Sequence, residues 1–468
     1  MDIIAQAIQS FIHATGDILS ADSALDFAGR MEQIASSCHA MLRHIIPAML
    51  EQMDQKIAEN HQRKTDWRLL RKDERELVTV MGEIRFERRY YRHKSSGETA
   101  YLLDQLLGIP AHAKVSGDVR QKAIVQAAQF SYGKSAAMST ESSLSRMSVC
   151  SYIKELNAFP VLTTQGPRRC VQTLYVEADE DHISLQDGRS AQVKLVYIHE
   201  GVIQEGKKRR LIHPRYLTWP LNGDNDLLWE TVSQYIAEQY DASALQQIYL
   251  SGDCAGWIRR GEEWLYPCVS LLDGYHRMKA LRGLCGGNQD LAAEFMRCVR
   301  KDDFRQAEVL CKNILDSAAE ADMKSKRVQA KYLLNNWQRI RNSFREGIPG
   351  CSAEGHVSHI LSERLSSRPC GWSRQNAEHI AQLRVMQANG EIIRYEELRK
   401  PKTPQQTKAA SVPAAEALLR TPGMKRSMQK CMKTSAAAVC KNLPILNGGH
   451  ISQLYKALHG LSLDIAVC

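Results

Sequence analysis

The 468-residue chain has no Cys-x-x-Cys pair, although it holds 13 cysteines. An odd number of thiols scattered in this way suits neither a disulfide framework nor a zinc ribbon, so reduced, buried thiols are expected. No run of apolar residues approaches the length needed to cross a bilayer. The opening stretch MDIIAQAIQSFIHATGDIL carries acids and lacks the basic start of a secretory signal. Together these absences predict a soluble cytoplasmic protein with no membrane partner. A large overall charge is lacking too: +10 is modest for this length, so its placement matters more than its size. Between Arg399 and Lys441 ten Lys or Arg stand against one acid, Glu416. A basic tail over 399–468 fits a polyanion partner, and its first half, KPKTPQQTKAASVP, fits a solvated linker equally well.

What is present divides the chain by pattern, and its length exceeds one ordinary core. Residues 1–78 place Met31, Ile34, Cys38, Met41 and Ile45 on one helical face, which predicts a helical arm. Over 79–115 the period changes to two. Val78, Val80, Ile84 and Phe86 surround a turn at Gly82 in LVTVMGEIRFERRYYRHK, the pattern of a small basic hairpin. Residues 116–160 read as helix, turn, helix. Ser145 suits the N-cap of a second helix through Met147, Val149, Ile153 and Leu156, whose polar face offers Arg146, Ser148, Ser151 and Lys154 to a major groove. Such helix pairs also occur in proteins that never meet DNA.

After the linker FPVLTTQGPRR, residues 167–385 have an α/β order. Three strand-like runs resemble an antiparallel meander, followed by a helix from about Asp226 to Tyr240, the strand LQQIYLSG ending at Asp253, and a further strand entering a helix. Residues 286–345 are helical throughout, so they interrupt the sheet domain instead of continuing it.

Three acids fall at strand ends or helix starts in this layout: Asp179 (or Asp181), Asp253 and Glu354. Neighbouring central strands would bring the first two together, and carboxylates so gathered repel unless a divalent cation lies between them. Two magnesium ions held in this way can activate a water or 3′-hydroxyl and stabilise a leaving oxygen at phosphate. Each acid also has a structural explanation, Asp253 as a turn former and Glu354 as a helix-dipole cap.

The stretch from about Val171 to Trp372 resembles the RNase H-like DDE transposases of bacterial insertion sequences, in the branch akin to Mutator and hAT elements, and is most similar to the ISLre family. With the flanking segments the resemblance covers nearly the whole chain. YVEADEDHISLQ resembles that family's first catalytic motif, YLSGDCAGWI its second and CSAEGHVSHILSERLSSRPCGWS its third. LLDGYH, with Asp273 and His276 separated by two residues, resembles the C/D(2)H signature between the second acid and a long helical insertion. NLPILNGGHISQLYKALHGLS resembles the family's closing segment.

The resemblance implies that Asp179, Asp253 and Glu354 hold Mg2+ or Mn2+, two ions in all, with Asp273 and His276 in support. His182 three residues on favours Asp179 as the first acid, in an Asp-x-x-His strand end. Asp181 shares the face of Asp179 and remains the alternative. Asp273 also suits a helix N-cap. Trp257, Trp264 and Trp372 fit core positions, with stacking on an extruded base raised only by the resemblance. Lys207, Lys208, Arg209 and Arg210 fit a hairpin tip, solvated or touching phosphate. The expected activity is therefore binding of terminal inverted repeats with metal-dependent cleavage and strand transfer to target double-stranded DNA. Because two element ends must be joined, self-association as a dimer or larger assembly on DNA is implied. The alternatives are a DNA-binding protein that does not cut, either a regulator or an inactivated transposase, and an RNase H-like nuclease without strand transfer.

Overall fold

The computed structural model describes residues 3–20, 24–157, 166–206, 208–345 and 347–399, with 162 and 164. The basic tail and Lys207 lie outside them. By contacts within the chain, the described residues form two units, one of 3–126 and 131–149, the other of 127–130 and 150–399.

In the first unit, α1 (Ile3–Leu19) and the long α2 (Phe27–Glu59) pack together, and α3 (His61–Asp66) follows. Asp26 caps α2 by accepting from the Gly29 amide at 2.8 Å, and Asn60 ends that helix while capping α3. A three-stranded antiparallel sheet comes next: β1 (Trp67–Thr79), β2 (Gly82–His93) and β3 (Thr99–Tyr101). Here β1 takes up residues 67–78, which the helical spacing assigned to the arm. Paired with β2, Trp67, Leu77, Ile84 and Phe86 turn into one core, and that burial decides the matter; Asp73 faces Arg88 and Glu76 faces Arg85 across the ladder. The short α4 (Leu102–Leu106) brings Asp104 to a buried ion pair with Arg88. The helices α5 (Gly117–Ala127) and α6 (Tyr132–Ser139) follow, and α7 (Arg146–Lys154) begins in this unit and ends in the second. Ser145 Oγ accepts from the Ser148 amide at 3.0 Å, as an N-cap should. On α7, Val149 and Ile153 are buried and Leu156 just beyond it is too, but Met147 is 63 % exposed and so departs from the expected apolar face.

The second unit is mixed α/β. Its main sheet contains β4 (Thr173–Ser184), β5 (Ser190–His199), β8 (Arg215–Thr218), β9 (Gln247–Gly252) and β10 (Cys268–Leu272), in the order β10-β9-β4-β5-β8. β4, β5 and β8 are antiparallel, as the meander pattern implied, whereas β9 and β10 run parallel to β4. β6 (Val202–Glu205) and β7 (Lys208–Leu211) form a separate hairpin. α8 (Asn225–Gln239) covers one face, where Leu174, Val176 and Ala178 of β4 meet Trp229 and Val232. Period-two alternation therefore sends Tyr175, Glu177, Asp179 and Asp181 to the other face.

After the turns α9 (Gly256–Arg259) and α10 (Gly261–Trp264), β10 leads into α11 (Gly274–Cys285), α12 (Gln289–Lys301), α13 (Phe304–Asp316), α14 (Glu320–Asn335) and α15 (Trp337–Asn342). Phe295, Leu310, Leu333 and Ile340 give these helices a core of their own. Then α16 (Ala353–Val357) continues through a π-helical turn over Ser358–Ser362 into α17 (Glu363–Leu365), and α18 (Arg374–Ala388) and α19 (Tyr395–Leu398) close the unit. Among the described residues no helix is long and apolar enough to cross a membrane.

Candidate active site

The register of the two central parallel strands places the first two acids. Glu177 of β4 pairs with Ser251 of β9, and the same register carried two residues onward sets Asp179 level with Asp253. β4 continues to Ser184, so Asp181 lies on the same strand face as Asp179. Asp253 leaves β9 in a tight turn. Its Oδ1 accepts from the Ala255 amide at 2.7 Å, Cys254 takes a left-handed φ of 64°, and Tyr332 Oη donates to the Asp253 carbonyl at 2.6 Å. The turn explanation for Asp253 is thus correct as geometry, and it leaves Oδ2 uncommitted to that turn. Glu354 sits in the first turn of α16 and is exposed.

These three acids, from three distant segments, line one cavity of about 440 Å3 together with Asp181, His276 and Lys279. Asp179 is only 7 % exposed. Burial pushes its carboxyl up to about 7, and the Glu354 and Asp253 charges add to that, against an amide hydrogen bond from Glu180 (2.9 Å) and the His276 charge. Burial also raises Glu180 and Asp181. Asp181 Oδ1 accepts from Ser366 Oγ at 2.8 Å, while its Oδ2 is buried without a hydrogen-bond partner among the described residues, though Ser362 lies close by.

Asp273 combines two roles that the sequence left as alternatives. It caps α11, accepting from the Tyr275 amide at 2.6 Å, and it also holds His276 Nδ1 at 2.5 Å. That hydrogen bond raises the His276 imidazole, and Asp179 and Asp253 raise it further. His276 and Lys279, one turn along α11, are basic groups that line the cavity with the acids.

Oxygen donors gathered in one cavity, and one carboxyl whose pKa burial and its acidic neighbours raise to about 7, suit a hard divalent cation. As placed, no three His, Cys, Asp or Glu side chains among the described residues converge on a single ion. The donor chemistry fits; a closed coordination sphere is not present.

Other singled-out residues lie elsewhere. His182 lines the cavity but is largely exposed, with its Nε2 3.9 Å from Glu180. Trp257 packs on Trp229 in the α8-side core and donates to Glu180 Oε2 at 2.5 Å; Trp264 packs against the same core; Trp372, 7 % exposed, donates to the Leu365 carbonyl at 2.8 Å. All three are core aromatics. Lys208, Arg209 and Arg210 belong to β7, with Arg209 and Arg210 exposed. Arg146, Ser151 and Lys154 are exposed along α7 and Ser148 half-buried. Sequence reasoning missed Lys279, which the helical spacing from Tyr275 and His276 could have revealed, and the cavity residues Ser358 and Ser362, which carry no local signal.

The fold and site define a mixed α/β protein with an acid-lined cavity at the carboxyl ends of two parallel strands. A family model described as "Uncharacterised protein family (UPF0236)" matches residues 20–402, and the chain belongs to that family. A UPF0236 protein of Caldanaerobacter subterraneus subsp. tengcongensis is 32% identical over 455 residues, covering 97% of this chain and 96% of its own length. Another from the same organism, whose name joins eleven locus labels, is 34% identical over 421 residues, 90% of this chain and 88% of its own. A third, the "UPF0236 protein in vanSb 3'region" of Streptococcus gallolyticus, is 25% identical over 362 residues, 73% of this chain and 78% of its own.

Proposed function

We propose that this chain is the DDE transposase of an insertion sequence, with an RNase H-like catalytic domain interrupted by the helical insertion at about 286–345. The observation that carries the reading is the gathering of Asp179, Asp253 and Glu354, separated by 74 and 101 residues in sequence, around one cavity beside the ends of β4 and β9. The resemblance of the three motifs to the ISLre family names the same residues. Eleven locus labels in the name of one relative fit an element that copies itself through a genome.

Asp179, Asp253 and Glu354 would hold Mg2+ or Mn2+, which when bound supplies charge stabilisation for in-line displacement at a phosphodiester and a more acidic water or 3′-hydroxyl nucleophile. Asp273 fixes the tautomer and orientation of His276, so that a proton sits on Nδ1 and the ring faces the acids. His276 and Lys279 draw a DNA phosphate toward a cavity that three carboxylates would otherwise repel. Exposed Arg146 and Lys154 on α7, and Arg209 and Arg210 on β7, offer phosphate contacts for the terminal inverted repeats and target. A dimer or larger assembly on DNA follows from the need to join two ends.

The test is cleavage and strand transfer on labelled DNA carrying the element's own ends, with Mg2+ or Mn2+, comparing wild type with Asp253→Ala. Metal-dependent joined products that vanish in the variant support the reading. Cut but unjoined products mean a nuclease; DNA bound equally by both proteins and never cut means a DNA-binding protein without catalysis.

A further inference from the structure

Glu177 is a buried carboxylate that the proposed chemistry does not use, 3 % exposed and two residues before Asp179 on the same face of β4. Its hydrogen bonds converge from two directions. From the sheet, His199 Nε2 lies 3.1 Å from Oε1, and Tyr197 Oη donates to Oε2. From the segment entering α16, the Ser352 amide donates to Oε2 at 2.7 Å and the Cys351 thiol at 3.0 Å. Tyr197 Oη and Ser352 Oγ are also 3.0 Å apart, so the two sets are joined.

We infer that Glu177 is a positioning residue: it pins residues 351 and 352 to β4 and thereby sets where Glu354 stands relative to Asp179. The spacing makes this effective. Glu354 is two residues beyond the pinned amide, as Asp179 is two beyond Glu177 on the strand. Because Glu354 is exposed, its place follows from the backbone that carries it. His356 adds a second hold on α16: its ring lies 4.7 Å from Tyr197 and 5.5 Å from Tyr216, with Tyr216 Oη 3.1 Å from Nδ1. Residues that reach a site only through a ligand-bearing neighbour commonly cost as much as a weak ligand when removed. A buried carboxylate with several donors is also costly to replace one-sidedly, because each donor is left unpaired.

That the pinned carboxylate is a working metal ligand rests on the transposase reading; that Glu177 holds the segment does not. The full-length protein, its Glu177→Gln and Glu177→Ala variants are compared by amide hydrogen exchange and by titration with Mn2+ alone. The expected result is faster exchange at residues 351–357 in Glu177→Ala, with β4 and β9 as protected as in the wild type. Mn2+ affinity falls roughly ten- to a hundredfold. Glu177→Gln, whose amide oxygen can still accept from Ser352, recovers part of both. On DNA the same variants lose kcat with KM unchanged. Unchanged exchange at 351–357 in Glu177→Ala overturns the inference, and so does protection lost evenly across the whole sheet, which would mark a general core residue. A wild type that binds no Mn2+ while exchange still rises at 351–357 defeats the catalytic reading and leaves the pinning intact.

Discussion

Gly252, the last residue of β9, stands against Ala178 of β4 with no space for a side chain: a Cβ would lie 2.6 Å from the Ala178 carbonyl oxygen and 2.8 Å from Ile258 Cδ1. Asp253 and Asp179 each follow by one residue, so this close approach of backbones is what brings the two acids level. Gly252→Ala must push β9 away from β4, and Ile258 must shift as well. We expect a loss of about 1–3 kcal/mol in urea denaturation, the usual cost of overfilling a packed site. Cleavage falls further than that stability loss explains, because Asp253 moves with the strand end. An unchanged denaturation midpoint would show that the strands part freely.

The raised carboxyl of Asp179 makes the metal-free protein sensitive to pH, with a definite sign. Between the ordinary value of 3.8 and about 7 the folded protein holds a proton that the unfolded chain has released. Stability is therefore full below that window and is lost as pH rises through it. Glu180, Asp181 and His276 are shifted upward too and act in the same direction. Melting temperature should fall from pH 5 to pH 8 without divalent ions, the fall should shrink in Asp179→Asn, and Mn2+ should restore stability most at the higher pH. A fall with pH that is as large in Asp179→Asn as in the wild type would contradict the electrostatics of the cavity.

How much of this was readable in advance depends on the range of the forces involved. Strand β4 announced itself by alternation in TLYVEADEDHIS, and Asp253 by its place where an apolar strand meets small residues, because both signals are local. α11 was likewise readable from the cap at Asp273. Residues 67–78 carry helix-like spacing, but they form a strand because their apolar side chains find a core only across the hairpin, Trp67 and Leu77 with Ile84 and Phe86, which no local pattern displays. The pinning of Ser352 by Glu177 joins residues 175 apart, and the carbonyls of the π-helical turn at 358–362 are met by Arg384 from another helix. Neither leaves a trace in spacing.

Arg384 merits a test on that account. Its Nε donates to the Ile360 carbonyl at 2.7 Å, its guanidinium also reaches the His359 carbonyl, and it pairs with Glu363 at 2.9 Å. It thus occupies carbonyls that the widened turn exposes. Arg384→Met keeps the stem and removes the donors. The expected loss is about 1.5–3 kcal/mol, the range for hydrogen bonds to a charged group, read by chemical denaturation, with faster amide exchange confined to 358–363. A loss confined to α18 would show that the turn stands without it.

Asp179 and Asp181 can be told apart by the same substitution at each. Asp179 lies level with Asp253 and close enough to feel both Asp253 and Glu354, whereas Asp181 is tied to Ser366. Asp179→Asn should abolish cleavage, beyond the roughly hundredfold that a 1 Å misplacement costs. Asp181→Asn should leave measurable activity. The reverse ranking would make Asp181 the first acid and move the working centre along β4 by two residues.

The polar face of α7 yields a prediction that does not depend on catalysis. Arg146 and Lys154 are exposed, while Val149 and Ile153 are the buried residues of the helix, so the two charges can be removed without touching packing. If both contact phosphates, each substitution to Ala releases about one counterion fewer on binding, and the slope of log affinity against log salt flattens by about 0.9 per residue. The measurement is binding to labelled element ends at several salt concentrations, with melting temperature as a control. Lost affinity with an unchanged salt slope would mean that these side chains do not meet the backbone of DNA. Lost affinity for the element ends alone, with other duplexes bound as before, would instead make them readers of base edges in the major groove.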